Sequence, residues 1–389
     1  MIAIRASIIL AAAGVAWSGH AARPAPSPQA AHAAFRACVQ SRFGADAFAG
    51  TVLVAEHGRV LWQSGYGLAD PATGVPNQPE TRFNTASVGK MFTAVAIGQL
   101  VDAGKLRFDD PIGRHLKGVP PALAGITLDQ LLTHRSGLGN YLRPENRAAI
   151  LSARTATDLL PIALAEGLAF APGTQSAYSN SGFVVLGAVI EAVSGEAFTD
   201  YFRRHVFGPA GMTATSTDGA AVRAASLTRM SPGGQPGTGP GTGPRRPAPA
   251  IGSPRASPAG NVTSTARDLF RFAEALRTHK LTRRATTEML WRPHSPGAPR
   301  PGAVERTSYG YGFNRVDIGA TRILGHGGGA PGANAHLEIY PEAGRVVVAL
   351  SNYDPPAATD IVKAARRAFA GAARDRVCEA EPPPARQPR

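Results

Sequence analysis

Phe83-Asn84-Thr85-Ala86-Ser87-Val88-Gly89-Lys90-Met91-Phe92-Thr93 sets a serine three residues before a lysine, at the head of an apolar run. The chain has only five lysines, Lys90, Lys105, Lys117, Lys280 and Lys363, and Lys90 alone has a serine at that distance. Val88, Met91, Phe92 and Val95 follow the i, i+3, i+4, i+7 spacing of a buried helical face. The spacing predicts that Ser87 opens a core helix, with Lys90 one turn on and on the same side. Such a helix start directs unpaired N–H groups and a partial positive charge at whatever binds beside Ser87. A hydroxyl, an amine to take its proton and a backbone donor for an oxyanion are the parts of acyl transfer through serine. The pattern is short, however, and a capping serine with a surface lysine one turn on fits it equally well.

Outward from this stretch, the two ends of the chain read as strands and the middle as helices. Ala34 to Phe43 reads as a helix. Thr51 to Glu56 and Arg59 to Gly67 read as strands joined by a tight turn at His57-Gly58. Helical patterns follow at Thr127 to His134, Phe183 to Val193, Thr199 to Phe207, Thr265 to Leu276 and Leu281 to Trp291. Strands return at Tyr309 to Val316, Thr321 to Gly325, Ala335 to Tyr340 and Arg345 to Asn352, before a helix at Ala358 to Arg374. One sheet built from both chain ends, with a helical half inserted, is the expected α/β (α+β) organisation. Residues 231–257 are dense in Gly, Pro, Ala and Arg; they read as a mobile insertion, because such a composition cannot pack a core.

The chain of 389 residues is 43% hydrophobic and 17% charged, as in a globular enzyme. Its net charge of +14 comes mostly from arginine. No basic run interleaves with aromatics and no nucleic-acid motif occurs, so nucleic acid is not the expected partner. A basic surface would favour anionic envelope polymers. Arg5 and the apolar run Ala6 to Trp17 read as an export signal, too short for a stable membrane span. Residues 1–33 are therefore expected to be signal peptide and linker, with small-residue cut sites at Gly19-His20-Ala21 and Ala31-His32-Ala33 and a linker over Arg23 to Gln29. A periplasmic or secreted location permits a disulfide between the two cysteines, Cys38 and Cys378, and two free thiols are the alternative. Residues 379–389 read as a disordered tail.

Two further clusters carry chemistry. Tyr178-Ser179-Asn180 precedes the Phe183 helix. A tyrosine beside cations becomes a candidate base, and an amide such as Asn180 can orient a lysine and a substrate carbonyl. A packed core aromatic is the plainer reading of Tyr178. His326-Gly327-Gly328-Gly329 ends a predicted strand. Its glycines would let a substrate backbone approach the strand edge, and the Gly329 N–H could join that of Ser87 as an oxyanion donor. A turn and a satisfied core histidine are the plainer readings there. His-Gly-Gly-Gly also occurs in α/β-hydrolases, but no Gly-x-Ser-x-Gly nucleophile is present. Scattered histidines and the absence of His-Glu-x-x-His argue against a metal site.

In order along the chain, Phe83 to Lys90, Leu131-Leu132-Thr133-His134-Arg135-Ser136-Gly137-Leu138, Phe170-Ala171-Pro172-Gly173, Tyr178-Ser179-Asn180-Ser181-Gly182, Ser257-Pro258-Ala259-Gly260, Tyr309-Gly310-Tyr311-Gly312 and His326-Gly327-Gly328 form a specific set. This set resembles the penicillin-binding-protein-like serine hydrolases of the class C β-lactamase group, which includes D,D-carboxypeptidases, D-aminopeptidases and esterases. The resemblance runs from about residue 35 to 370, within an expected domain at 34–378. It implies a β-lactamase/transpeptidase-like fold, a mixed antiparallel sheet flanked by helices plus an all-helical subdomain, with the active site between them. It also implies Ser87 as acylated nucleophile, Lys90 and Tyr178 sharing proton transfer, and Asn180 and His326 to Gly329 binding substrate. A small-molecule or peptide substrate is implied, and no cofactor.

The sequence departs from that pattern at one place. Many β-lactamases and carboxypeptidases of the group have Lys-Thr-Gly where this chain has His326-Gly327-Gly328. A histidine at its usual pKa of ~6.5 is only about a quarter protonated at pH 7, and Gly327 supplies no hydroxyl. A weaker grip on carboxylates is expected, which favours carboxylic esters or small amides as substrates. A β-lactamase or D,D-carboxypeptidase acting on the cell wall, and a penicillin-binding sensor that acylates without turnover, are the alternatives.

Overall fold

A computed structural model describes residues 27–44, 46–219, 222, 224–229, 243–248, 255–297, 305–370 and 377–379. Helix α1 spans Pro28–Gly44 and buries Ala31, Ala34, Phe35, Cys38 and Val39, one helical stripe. That stripe begins before the expected start at Ala34. It draws Pro28 and Gln29 out of the expected linker and places Ala31-His32-Ala33 inside the helix. The rest of the expected export signal, residues 1–26, lies outside the described residues.

Strands β1 (Gly50–Glu56) and β2 (Arg59–Tyr66) form the expected hairpin. His57 and Gly58 both take left-handed φ, 49° and 78°, the pair whose twist suits a two-residue turn. Helix α2 is Lys90–Asp102, and every residue from Lys90 to Gly98 is buried. Helix α3 is Asn180–Ser194; Ser179 caps it by accepting the Gly182 N–H at 2.9 Å, and left-handed Gly195 ends it. Helix α4 is Ala266–Arg277, capped by Thr265. Strands β3 (Ser295–Pro296), β4 (Glu305–Tyr309), β5 (Asn314–Ile318), β6 (Thr321–Ala330), β7 (Ala333–Tyr340) and β8 (Arg345–Ser351) then precede helix α5 (Ala357–Phe369).

These strands form one eight-stranded sheet in the order β2-β1-β8-β7-β6-β5-β4-β3, antiparallel at every pairing. Alternate residues feed two cores. Val52, Val54, Val347 and Ala349 pack with Phe35 and Val39 of α1 and Ile361 and Val362 of α5. Leu53, Ala55, Val348 and Leu350 pack with Phe92 and Val95 of α2, Val185 of α3 and Phe272 of α4. The helical half lies between β2 and β3 in the chain, so the sheet does join the two ends.

Several expected elements divide differently. Ser87 does not open the α-helix; it lies in a 3-10 turn, Ala86–Gly89, because Ala86 is held at φ 44° where its turn meets β6. The strand expected over Tyr309 to Val316 is a hairpin instead. Gly310-Tyr311-Gly312-Phe313 turns between β4 and β5, and Gly312 at φ 72° fits the turn against α2. The helix expected over Thr199 to Phe207 is an α turn, Phe198–Tyr201, continued by a π turn, Phe202–Phe207. The insertion returns to folded structure in two places. Arg246–Pro247 pairs with Leu227–Thr228, and the Arg245 guanidinium stacks 3.3 Å over the Tyr353 ring. Ala256 and Ser257 are buried. Polar and stacking contacts hold these segments where composition offered no apolar core; residues 231–242 and 249–254 lie outside the described residues, as do residues 380–389 of the expected tail.

Cys38 of α1 is bonded to Cys378, with Cα atoms 5.2 Å apart and a sequence separation of 340. A link closing so long a loop restricts the unfolded chain strongly. The double variant Cys38→Ser/Cys378→Ser is expected to lose about 2–4 kcal/mol of stability. Urea unfolding of wild type with and without reductant checks this: reductant should reproduce the variant's loss.

Candidate active site

Lys90 has no solvent exposure, at the first turn of α2. Its Nζ lies 3.3 Å from Ser87 Oγ, 2.7 Å from Asn180 Oδ1 and 2.7 Å from the Ala259 carbonyl oxygen. Burial holds its pKa well below the usual lysine value. A neutral amine has two N–H donors and one lone pair. Asn180 Oδ1 and the Ala259 carbonyl can only accept, so they take both N–H groups. In the amine form the lone pair then faces the Ser87 hydroxyl, to which Nζ donates when protonated. The amide orientation of Asn180 is fixed in turn: its Nδ2 donates to Asn140 Oδ1 at 3.1 Å, and that oxygen also accepts the Leu142 N–H at 3.3 Å.

Tyr178 stands at the N-terminal end of α3, with its hydroxyl on the Ser87 side of the site. The Lys90 Nζ lies 4.7 Å from the centre of its ring. Desolvation raises the phenol above its ordinary value, and the Ser87 hydroxyl works the other way. Half of the residue faces the cleft (51% exposed), so water moderates the rise. The expected accessible phenolate is therefore corrected: desolvation favours the neutral phenol.

Strand β6 brings His326 to Gly329 to the same place. Its pairing with β5 ends at Gly325, while its pairing with β7 continues to Ala330. Residues 326–330 thus offer one unpaired edge. A Cβ on Gly328 would lie 2.3 Å from the Thr85 carbonyl and 2.8 Å from Ser87 N, so only glycine lets the Ser87 turn rest on the strand. Gly327 and Gly329 face the other way, against the His336 ring and Pro355. His326 is 5% exposed. Its Nδ1 donates to the Gly327 carbonyl at 2.5 Å, and its Nε2 accepts the Tyr309 hydroxyl at 3.0 Å. Desolvation, the largest cause, pushes its pKa down to about 3. The partial charge expected of His326 is therefore corrected to none at neutral pH, because the ring is buried.

Ser87, Lys90, Tyr178 and Asn180 meet at one place, with His326 and Gly328 against it and Gly327 and Gly329 on the same strand. Sequence reasoning missed four partners. Tyr309 and His134 stood inside quoted motifs without a role; His134 packs its ring 4.4 Å from that of Tyr178. Asn140 had no motif, and the Ala259 carbonyl is backbone, which no side-chain pattern reveals. Among the described residues, no group of three or more His, Cys, Asp or Glu side chains could hold a metal.

A family model described as Beta-lactamase matches residues 35–372. Putative penicillin-binding protein PbpX of Bacillus subtilis (strain 168) is 30% identical over 318 residues, 78% of this chain and 70% of that protein. Esterase EstB of Burkholderia gladioli is 36% identical over 176 residues, 41% of this chain and 44% of its own. The crystal structure of a penicillin-binding protein from Bacillus halodurans superposes with a TM-score of 0.70 at 28% identity, covering 83% of this chain and 97% of its own. With its sheet, its helical half and a Ser-x-x-Lys cleft between them, this chain belongs to the Beta-lactamase family and is a serine hydrolase of the penicillin-binding-protein-like kind.

Proposed function

We propose that the protein hydrolyses uncharged carboxylic esters or small amides through an acyl-enzyme on Ser87. The observation that carries this is the hydrogen-bond count at Lys90: two acceptor-only partners and one hydroxyl around a buried amine. Ser87 Oγ–H gives its proton to the Lys90 lone pair as Oγ attacks the substrate carbonyl. The backbone N–H groups of Ser87 and Gly329 are the oxyanion donors. The C–O or C–N bond then breaks, and the Tyr178 hydroxyl protonates the leaving group and regains a proton from Lys90. Water attacks the acyl-enzyme with the same groups acting in reverse order.

The neutral His326 and the bare Gly327 support an uncharged substrate. They offer no cation and no hydroxyl for a carboxylate, and a relative named as an esterase supports the ester half of the reading. The Cys38–Cys378 bond supports an oxidising, exported location, for which Ala6 to Trp17 would be the signal.

Ser87→Ala should abolish turnover of p-nitrophenyl esters and the acyl adduct seen by mass spectrometry; a retained rate would remove the assignment. Lys90→Arg should lower kcat/KM by about 10²–10⁴-fold, the usual worth of a general base, since arginine keeps its proton and has no lone pair to offer. An unaltered rate in that variant would move the base role to another group. The pH dependence separates substrates. From about pH 8 down to about 5, where an ordinary histidine gains its charge, His326 should stay neutral. The rate ratio of carboxylate-bearing to neutral esters should then stay flat, and a rise as pH falls would mean that His326 is protonated.

A further inference from the structure

We propose that His134 is a positioning residue, holding the Tyr178 phenol at Ser87 by gripping the backbone on both sides of it; this rests on the role of Tyr178 just proposed. The His134 carbonyl accepts the Ala177 N–H at 3.0 Å. Its ring Nδ1 accepts the Ser179 N–H at 3.1 Å. Between those bonds, its ring lies against the Tyr178 ring, with centres 4.4 Å apart. One residue therefore contacts 177, 178 and 179 in succession.

The backbone of His134 is set for this. Its φ is 57°, a left-handed value uncommon for a residue with a side chain and kept only where surroundings over-determine it. Glycine would reach that conformation without strain but would carry neither ring nor acceptor. The ring cannot drift: it is 4% exposed and also packs against Phe183 at 5.2 Å and Tyr309 at 4.7 Å.

Packing alone does not account for an imidazole here. Because Nδ1 accepts a backbone N–H, the neutral ring carries its proton on Nε2. That nitrogen is buried with no hydrogen-bond partner, an unfavourable state that a phenylalanine would avoid. What the imidazole supplies, and phenylalanine would not, is the acceptor for Ser179. Ser179 is itself pinned, since its hydroxyl donates to the Gly139 carbonyl while capping α3. The grip on Ser179 and Ala177 thus sets the phenol against a fixed helix end.

Two variants separate the parts. His134→Phe keeps a ring and removes the acceptor. His134→Asn removes the ring, keeps an amide oxygen near the Nδ1 position and tolerates a left-handed backbone. Turnover of a neutral p-nitrophenyl ester is measured per active site, counted by covalent phosphonate labelling, with folding followed by circular dichroism and thermal melting. His134→Phe should lose about 10²-fold in kcat with KM nearly unchanged, the loss typical of a reacting group displaced by about 1 Å. His134→Asn should recover most of that loss. A purely structural role would lower the melting temperature and the count of labelled sites but leave kcat per site intact. A folded His134→Phe at wild-type kcat overturns the proposal. Where His134→Phe yields no folded protein, His134→Asn decides: a rate near wild type upholds the grip, and a fall of the same depth overturns it. Ser87→Ala is run beside them. Loss there with an unaffected His134→Phe removes the grip alone, whereas activity retained in Ser87→Ala removes the acyl-enzyme reading.

Discussion

Lys90 Nζ, 2.7 Å from Asn180 Oδ1 and 2.7 Å from the Ala259 carbonyl, ties together three pieces of chain that are distant in sequence. They are the start of α2, the start of α3 and the turn that closes the insertion. Each partner is held from behind. Asn140 fixes Asn180, and the Ser257–Gly260 turn, with Tyr141 donating to Ser257, fixes Ala259. An ammonium in this place would forfeit hydration worth several kcal/mol, with no carboxylate among the described residues bonded to it in return. An amine has fewer protons to satisfy, and the site supplies acceptors for both. Removing either acceptor would leave a buried N–H unpaired at a cost of about 1–3 kcal/mol. The same contacts that stabilise the junction of the two helices therefore orient the amine beside Ser87, while burial shifts its pKa down.

The Ser87 turn is placed by close approach as well as by hydrogen bonds. Gly328 lies under it from the strand side. Gly260, at φ 147°, approaches from the other, where a Cβ would sit 2.3 Å from the Ala86 carbonyl. Two glycines from separate regions thus grip one turn, and the unusual φ of Ala86 follows from being held between them. This gives Pro258-Ala259-Gly260 two tasks at once: a carbonyl for Lys90 and a bare backbone for the turn. The insertion ahead of it must end in a fixed position whatever its own composition. Burial of Ala256 and Ser257 supplies that position.

Periodicity made the central helix, the β1–β2 hairpin and the strands around His326 legible, because each pattern is local. The turn at His57-Gly58 between strands was legible for the same reason. What sequence could not give depended on neighbours from elsewhere in the chain. The 3-10 turn at Ser87 arises from contact with β6 and Gly260. The break at Gly310 to Phe313 arises from packing on α2. The charge of His326 could be stated only at its solution value, since its burial is made by β4, β7 and Lys90 together. His134 was in view within a quoted motif, but nothing local says that its carbonyl and its ring reach Ala177 and Ser179.

These points converge on an electrostatic contrast within one molecule. The chain carries +14, yet burial shifts the titratable groups that meet at Ser87 toward their uncharged forms: Lys90 and His134 well below their ordinary values, His326 at about 3, and Tyr178 and Tyr309 above theirs. A cleft of this kind holds a substrate through backbone donors, amide groups and ring faces, interactions that depend on shape and distance more than on net charge. The arginine-rich exterior acts over a different range, screened within about 8 Å at physiological ionic strength. It therefore bears on which surfaces the protein approaches, while the buried cluster bears on which bonds it cleaves. Because separate residues carry the two properties, the exterior charge can vary widely without disturbing the proton transfer proposed between Ser87 and Lys90.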